Sequence, residues 1–124
     1  MPLIPRIAES EWKVMKVIWA SPEPLPSYDV IQALRDERWQ PRTIKTLLNR
    51  LVKKKALGYH KYKNLYLYYA LVAETECLKA ESDSFLERCF GGSLQPMLAH
   101  FVEQRELTRE EIKQLIRILD EKRR

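Results

Sequence analysis

Residues 41–55, PRTIKTLLNRLVKKK, indicate the fold because one helical segment carries two opposite faces. At about 100° per residue, its apolar side chains share one broad arc. That arc contains Ile44, Leu47, Leu48, Leu51 and Val52. The opposite side carries cations, hydroxyls and an amide: Arg42, Lys45, Thr46, Asn49 and Lys53, flanked by Thr43 and Arg50. Because proline suits the first helical position, the pattern predicts a helix from Pro41 to about Lys54.

Positive charge is concentrated around this segment. The whole chain of 124 residues carries a formal charge of only +5. Between positions 38 and 73, however, there is no Asp or Glu and there are nine cations: Arg38, Arg42, Lys45, Arg50, Lys53, Lys54, Lys55, Lys61 and Lys63. A local field of this sign attracts polyanions. A solvated basic face with no partner is the alternative.

The polar face fits the DNA major groove. A helix there must present no carboxylates, since phosphates repel them. Arg and Lys bind guanine edges or phosphates, Asn pairs with adenine, and Thr bonds a base or touches a thymine methyl. Recognition helices read mainly with their first turns. We therefore expect base contacts from Arg42, Thr43, Lys45 and Thr46, with Asn49 also in the groove, and phosphate contacts from Arg50, Lys53 and Lys54.

The neighbouring segments predict a winged helix. A first helix is expected over Glu9–Ala20, and a second begins with Ser27 as N-cap and ends near Arg38. After Gly58 the sequence YHKYKNLYLYYAL predicts a β-hairpin that turns at Lys63 and Asn64. Three helices followed by a hairpin is the winged-helix order. We expect the wing to bring Lys61 and Lys63 to the DNA backbone.

Tyr66 and Tyr68 alternate along the second strand of this hairpin. Alternating tyrosines more often pack beneath a wing than stand free, so we expect both to be covered. Stacking on single-stranded bases is the alternative.

The remaining sequence predicts three amphipathic helices. The last begins at a capping box formed by Thr108 and Glu111. So short a segment buries little by itself, so we expect the stripes to pack against a second copy of the chain. The expected dimerisation residues are Leu78, Phe85, Leu86, Leu94, Met97, Leu98, Phe101, Ile112, Leu115, Ile116 and Leu119. The predicted organisation is a winged-helix domain at 1–72 and a helical dimerisation domain at 73–124, with folding back within one monomer as the alternative.

Other classes find little support in the sequence. His60 and His100 have no neighbours at metal-ligand spacing, and no nucleophile motif or glycine-rich phosphate loop is present, so we expect no enzyme, cofactor or metal. Cys77 and Cys89 lie about 18 Å apart along one helix and are interpreted as reduced, with a redox or metal role as the alternative. No signal peptide or membrane-length apolar run is visible, which predicts a cytoplasmic protein without direct membrane binding.

Several segments together resemble the penicillinase and methicillin-resistance repressors, the BlaI/MecI family. They are SEWKVMKVIW, WQPRTIKTLLNRLVKK, NLYLYYALV, SFLERCFGGSLQPMLAHFVE and LTREEIKQLIRIL. The resemblance spans nearly the whole chain and implies a homodimeric repressor of a palindromic operator. It implies control of β-lactam resistance genes, and derepression when a membrane sensor detects a β-lactam and the dimerisation domain is cleaved.

The chain departs from the family pattern at three places. The family's scissile bond joins Asn and Phe, whereas the matching residues here are His100 and Phe101. Lys55 stands where the turn after the recognition helix often has glycine, at a cost of about 1 kcal/mol if the left-handed conformation is kept. The paired C-terminal cysteines of a copper-responsive branch are absent.

The function predicted from these observations is a homodimeric transcriptional repressor of a DNA operator. A sequence-indifferent nucleic-acid accessory protein would use the same basic strip for phosphates alone. Thr43, Thr46 and Asn49 favour the repressor, because a purely electrostatic strip gains little from them. A protein-interaction module with an acidic partner is a third possibility and predicts no DNA affinity.

Overall fold

A computed structural model describes residues 4–124 of the chain. The predicted first domain therefore begins outside the described residues, at positions 1–3. The elements, in chain order, are α1 (Glu9–Ala20), β1 (Leu25–Pro26), α2 (Ser27–Ala33), a 3-10 turn (Arg35–Glu37), α3 (Pro41–Lys53), β2 (Leu57–Tyr62), β3 (Leu65–Ala70), α4 (Glu74–Phe90), α5 (Leu94–Gln104) and α6 (Arg109–Arg123).

The first three helices and the sheet form a winged helix around one core. Val14 and Met15 of α1 and Leu48 and Leu51 of α3 are fully buried there, and Leu57 of β2 joins them. The strands run antiparallel in the order β1-β3-β2. The predicted order of three helices and a hairpin is thus confirmed, and the core fixes which side of α3 remains exposed.

Two details of the second helix differ from the prediction. Ser27 is the first residue of α2 rather than its cap, since Pro26 occupies the N-cap position and no side chain caps the helix. The helix also ends at Ala33, and the 3-10 turn completes the path to Arg38. The short strand β1, which pairs Leu25 with Tyr68, was not predicted, because a proline-rich dipeptide has no strand periodicity of its own.

The end of α3 shows the predicted left-handed residue. Lys55 has φ 66°. Its N–H donates to the Val52 carbonyl at 3.0 Å, and the N–H of Ala56 donates to the Leu51 carbonyl at 2.9 Å. This pair of bonds is the Schellman arrangement, with buried Ala56 and Leu51 supplying its apolar contact. The chain therefore keeps the conformation that glycine favours while using lysine.

The C-terminal helices form a second compact unit. The first unit of the chain extends through Ser82 and the second runs from Asp83 to Arg124, whereas the predicted boundary lies at 72/73, just before α4. The capping box of α6 is confirmed, since the Thr108 hydroxyl accepts from the Glu111 N–H at 3.0 Å and the Glu111 carboxylate accepts from the Thr108 N–H at 3.1 Å. Within residues 4–124, no helix is long and apolar enough to cross a membrane.

Candidate nucleic-acid interface

The exposed side of α3 carries the predicted polar set. Ile44, Leu47, Leu48 and Leu51 are buried against the core, and this orientation turns the opposite side outward. The seven side chains that are exposed there are Arg42, Thr43, Lys45, Thr46, Asn49, Arg50 and Lys53. The structure therefore brings together on one surface, which we call the α3 face, seven of the eight residues predicted in this segment.

The cations of the α3 face have no acidic partner among the described residues. Elsewhere, Lys13 pairs with Glu37 at 2.6 Å and Lys16 pairs with Glu74. Arg42, Lys45, Arg50 and Lys53, by contrast, form no ion pair within residues 4–124. An exposed surface with several uncompensated cations attracts a polyanion and has no intramolecular ion pair to break before binding it.

Lys54 is placed apart from this surface. Its ammonium pairs with the carboxylate of Glu11, which is 1% exposed, and also donates to the Arg6 carbonyl at 2.9 Å. The Glu11 carboxylate accepts a further hydrogen bond of 2.8 Å from the Ala8 N–H. Lys54 therefore ties the N-terminal segment and α1 to the end of α3. No local pattern indicates this role, because a Glu in a first turn is usually a solvated partner of the helix dipole.

One hydroxyl of the α3 face is already engaged. The Thr46 hydroxyl donates to the Arg42 carbonyl at 2.9 Å, one turn earlier in the same helix. Its proton is used, but the side chain is exposed and its oxygen can still accept a hydrogen bond. Thr46 can therefore accept a hydrogen bond from a base amino group or touch a thymine methyl, and it has no free donor for a phosphate.

A groove runs beside the α3 face and adds two residues that were not predicted. It has a volume of about 300 Å³ and is lined by Ser10 of α1, Trp39 before α3, and residues of α3: Arg42, Thr43, Thr46, Leu47 and Arg50. No carboxylate lines it. Ser10 and Trp39 lie outside the helical pattern, so only the packing of α1 against α3 shows that they belong to this surface.

The wing presents the two predicted lysines. Lys61 is exposed on β2 opposite Tyr66, and Lys63 occupies the turn with φ 56°. The Lys63 ammonium lies 5.5 Å from the centroid of the Tyr62 ring. Further down the hairpin, a Cβ at Gly58 would stand 2.7 Å from the end of the Tyr69 ring across the strand pair, so that ring would have to move.

The tyrosines beneath the wing behave differently from one another. Tyr68 packs against the core, as expected, and its burial raises the pKa of its phenol, with neighbouring Tyr59 and Tyr66 adding to the increase. Tyr66 is 51% exposed and instead makes an edge-to-face contact with Tyr59, their ring centroids 5.1 Å apart. The expectation that Tyr66 is covered was therefore wrong. Tyr66 lies towards the hairpin tip, opposite Lys61, and the core does not reach it.

The predicted dimerisation residues divide between several locations. Leu94 and Leu98 of α5 and Leu115 and Leu119 of α6 line one open apolar groove of about 700 Å³, together with Gln95, Ala99, Val102 and Ile118. Three more are half-buried: Phe85, Leu86 and Met97. The Phe101 ring stacks on the Phe85 ring, with 6.4 Å between their centroids. The remaining three are exposed and do not line the groove: Leu78, Ile112 and Ile116. Ile118 was missed because it lies at the edge of the helical stripe.

His100 and Phe101, the predicted cleavage position, lie inside α5. The two rings are in edge-to-face contact at 5.7 Å, and His100 also faces Phe90 at 6.2 Å. The bond between these residues is therefore part of a hydrogen-bonded helix that packs on the end of α4. Within residues 4–124, no three side chains of His, Cys, Asp or Glu come together as metal ligands.

Comparison with known proteins gives the family. The penicillinase repressor family model matches residues 7–121. The chain belongs to the penicillinase repressor family. It is 39% identical to the penicillinase repressor of Bacillus licheniformis, over 98% of this chain and 94% of that protein. It is 32% identical to the methicillin resistance regulatory protein MecI of Mammaliicoccus sciuri, over 94% of each chain.

A solved structure extends the comparison to a DNA complex. The solution structure of monomeric B. licheniformis BlaI with the blaP half-operator matches with a TM-score of 0.53 and 39% identity, over 61% of this chain and 93% of that one. This penicillinase repressor family is one of transcriptional repressors, which confirms that the chain is not an enzyme. It also confirms the resemblance found in the sequence.

Proposed function

We propose that this protein is a homodimeric transcriptional repressor that binds a palindromic DNA operator with the α3 face in the major groove. The observation that carries the proposal is the α3 face itself: seven exposed polar or cationic side chains, no carboxylate and no internal ion pair among the described residues. The solved complex of BlaI with a DNA half-site supports it, since that relative is 39% identical in sequence.

The roles proposed within the α3 face follow from position. Arg42, Lys45 and Thr46 lie in the first turns of α3, where recognition helices meet base edges, and Asn49 lies one turn further on. Lys53 lies at the end of the helix, where a cation meets the DNA backbone. Lys61 and Lys63 on the wing are proposed as further backbone contacts, because both are exposed without an acidic partner among the described residues.

We propose that residues 73–124 form the dimerisation domain. The groove between α5 and α6 is lined almost entirely by aliphatic side chains, and its leucines would remain in water in a single copy. A second copy would bury both grooves at once and present two α3 faces to the DNA. A two-fold dimer then reads half-sites about 34 Å apart, or a multiple of that distance.

The regulated genes proposed are those of β-lactam resistance. The support comes from two relatives, a penicillinase repressor and a methicillin resistance regulator, each matched over more than nine-tenths of its length. We further propose that a membrane sensor or protease relieves repression through the C-terminal domain. A cut between His100 and Phe101 would separate Leu94 and Leu98 of the apolar groove from its α6 wall.

The first test is fluorescence anisotropy of the full chain with DNA from upstream of its own gene, beside a scrambled duplex of equal length. At about 0.15 M salt, where weak phosphate attraction is screened, we expect a preference of roughly 10³-fold or more, within the range of specific binders. Equal affinity for both duplexes would favour the accessory-protein alternative. Absence of binding to either would favour a protein partner for the basic surface.

Variants of α3 test the assigned roles in the same assay. Arg42→Ala or Lys45→Ala should weaken operator binding by about 1 to 3 kcal/mol and relax sequence preference, because a base contact is lost. Lys53→Ala is the matched control, and it should weaken all sequences alike and reduce the salt dependence by about one counterion. Unchanged operator preference in both Arg42→Ala and Lys45→Ala would show that other residues read the bases.

A further inference from the structure

The groove beside the α3 face is rich in hydrogen-bond donors that the protein does not use. Among the described residues, the side chains of Ser10, Trp39, Thr43 and Arg50 donate to no protein acceptor. The groove thus collects hydroxyl, indole and guanidinium donors, and no carboxylate lines it. Unused donors of this kind fit an anion with several acceptor oxygens.

The groove occupies one flank of the α3 face. At about 100° per residue, Thr43, Leu47 and Arg50 project toward α1, whereas Lys45 and Asn49 project to the other flank. A major-groove helix lies between two sugar-phosphate strands, so one flank of it must meet a strand. Arg42 and Thr46 line the side of the groove nearer the centre of the α3 face, where the base edges lie. The opposite side, between Ser10, Trp39 and Arg50, is recessed and donor-rich, which suits the strand.

We propose that this groove is a phosphate clamp, in which Arg50, Trp39, Ser10 and Thr43 hold one backbone phosphodiester of each DNA half-site. The clamp rests on the proposed function and deepens it, by fixing the register in which Lys45 and Asn49 meet the bases. It assigns Thr43 to the backbone instead of a base edge. Trp39 and Ser10 become positioning residues that carry no sequence information.

The indole is held in place independently of DNA. The Lys13 ammonium lies 5.8 Å from the Trp39 ring centroid and is itself fixed by its ion pair with Glu37. The indole is therefore oriented before DNA arrives, and it loses little freedom on binding. Pre-formed donors are suited to setting register, because a phosphate seated between α1 and α3 restricts rotation of the helix in the groove.

The test replaces single phosphates by neutral methylphosphonates along a duplex that contains the blaP half-operator, the DNA bound by the relative BlaI. Binding by the wild type should fall about tenfold at one position per half-site, since a charge-assisted hydrogen-bond set is lost there. Arg50→Gln should bind more weakly and lose most of its sensitivity at that same position. Lys45→Gln, the matched control on the opposite flank, should keep the wild-type sensitivity.

Trp39→Phe isolates the indole donor while keeping an aromatic ring under Lys13. We expect roughly three- to tenfold weaker binding to operator and scrambled duplexes alike, because the loss is a backbone contact. A changed ratio between the two duplexes would overturn the clamp, since Trp39 would then be reading bases. Full methylphosphonate sensitivity in Arg50→Gln at every position would overturn it as well.

Failure of the clamp and failure of the repressor function give different results. If the wild type prefers the operator but no phosphate couples to Arg50, the clamp is wrong and the function stands. If the wild type binds operator and scrambled duplexes equally, the repressor function is wrong. The clamp is then tested by the salt dependence of DNA affinity, whose slope Arg50→Gln must lower by about one counterion. An unchanged slope overturns the clamp in that case too.

Discussion

The two units of this molecule use apolar side chains in opposite ways. Every described apolar side chain that is fully buried lies between Ile7 and Cys77. From Leu78 onward the described helices also carry apolar stripes, yet many of their leucines and isoleucines remain in water, with Leu119 55% exposed. The N-terminal unit completes its own core, whereas no described apolar side chain of the C-terminal unit is fully buried. Amphipathic periodicity therefore predicts that a face will be covered but does not show by what.

The two cysteines provide the largest expected contrast. Cys77 is buried in the N-terminal core, where burial and then Glu76 raise the pKa of its thiol, and Cys89 is exposed. In the native protein, a thiol reagent should label Cys89 at once and Cys77 at least about 10³-fold more slowly, because reaction requires opening of a stable core. Comparable labelling rates would show that the N-terminal unit is not closed.

A core truncation should separate the units by stability. Leu48→Ala, at a fully buried position of α3, should lower the free energy of unfolding of the N-terminal unit by about 3 kcal/mol. Leu119→Ala is the matched control and should change the same transition by less than about 0.5 kcal/mol. Urea titration followed by tryptophan fluorescence reports on this unit alone, because all three tryptophans of the chain, Trp12, Trp19 and Trp39, belong to it. Equal losses would mean that the two units unfold as one.

A charge in the apolar groove should break assembly without unfolding the N-terminal unit. Leu98→Asp would place an ion among aliphatic side chains, so we expect a monomer by light scattering. Operator affinity should then fall about 10²-fold, because the second half-site no longer binds within the same complex. Gln114→Asp adds the same charge outside the groove and should leave the mass unchanged. A dimeric Leu98→Asp would place the interface elsewhere.

The smallest effect concerns the left-handed lysine. Lys55→Gly should stabilise the N-terminal unit by about 1 kcal/mol, since glycine adopts φ 66° without a Cβ penalty. Lys53→Gly, at the last residue of α3, should instead destabilise, by up to a similar amount. If both variants shifted the urea midpoint in the same direction, the conformation at position 55 would differ from that described.

The N-terminal unit was predictable from local patterns to a large extent. The 3.6-residue period of α3 placed its buried and exposed sides correctly, and Lys63 with Asn64 located the hairpin turn. The misplaced cap and end of α2 are local errors of one to a few residues. The larger misses depend on residues far apart in sequence. Strand β1 exists because Leu25 meets Tyr68, and the burial of Glu11 depends on Lys54, which lies 43 positions away.

The candidate interface divides in the same way. The amino-acid order was enough to infer its charge pattern and the helix that carries it, because helical periodicity and residue chemistry are local properties. It was also enough to recognise the family from the resemblance of several segments. Only the folded chain shows that Lys54 pairs with buried Glu11. Only the folded chain shows that Ser10, Trp39 and Arg50 line one groove. Packing α1 against α3 selects which cations remain in water, and that choice depends on three-dimensional distances that linear spacing does not contain.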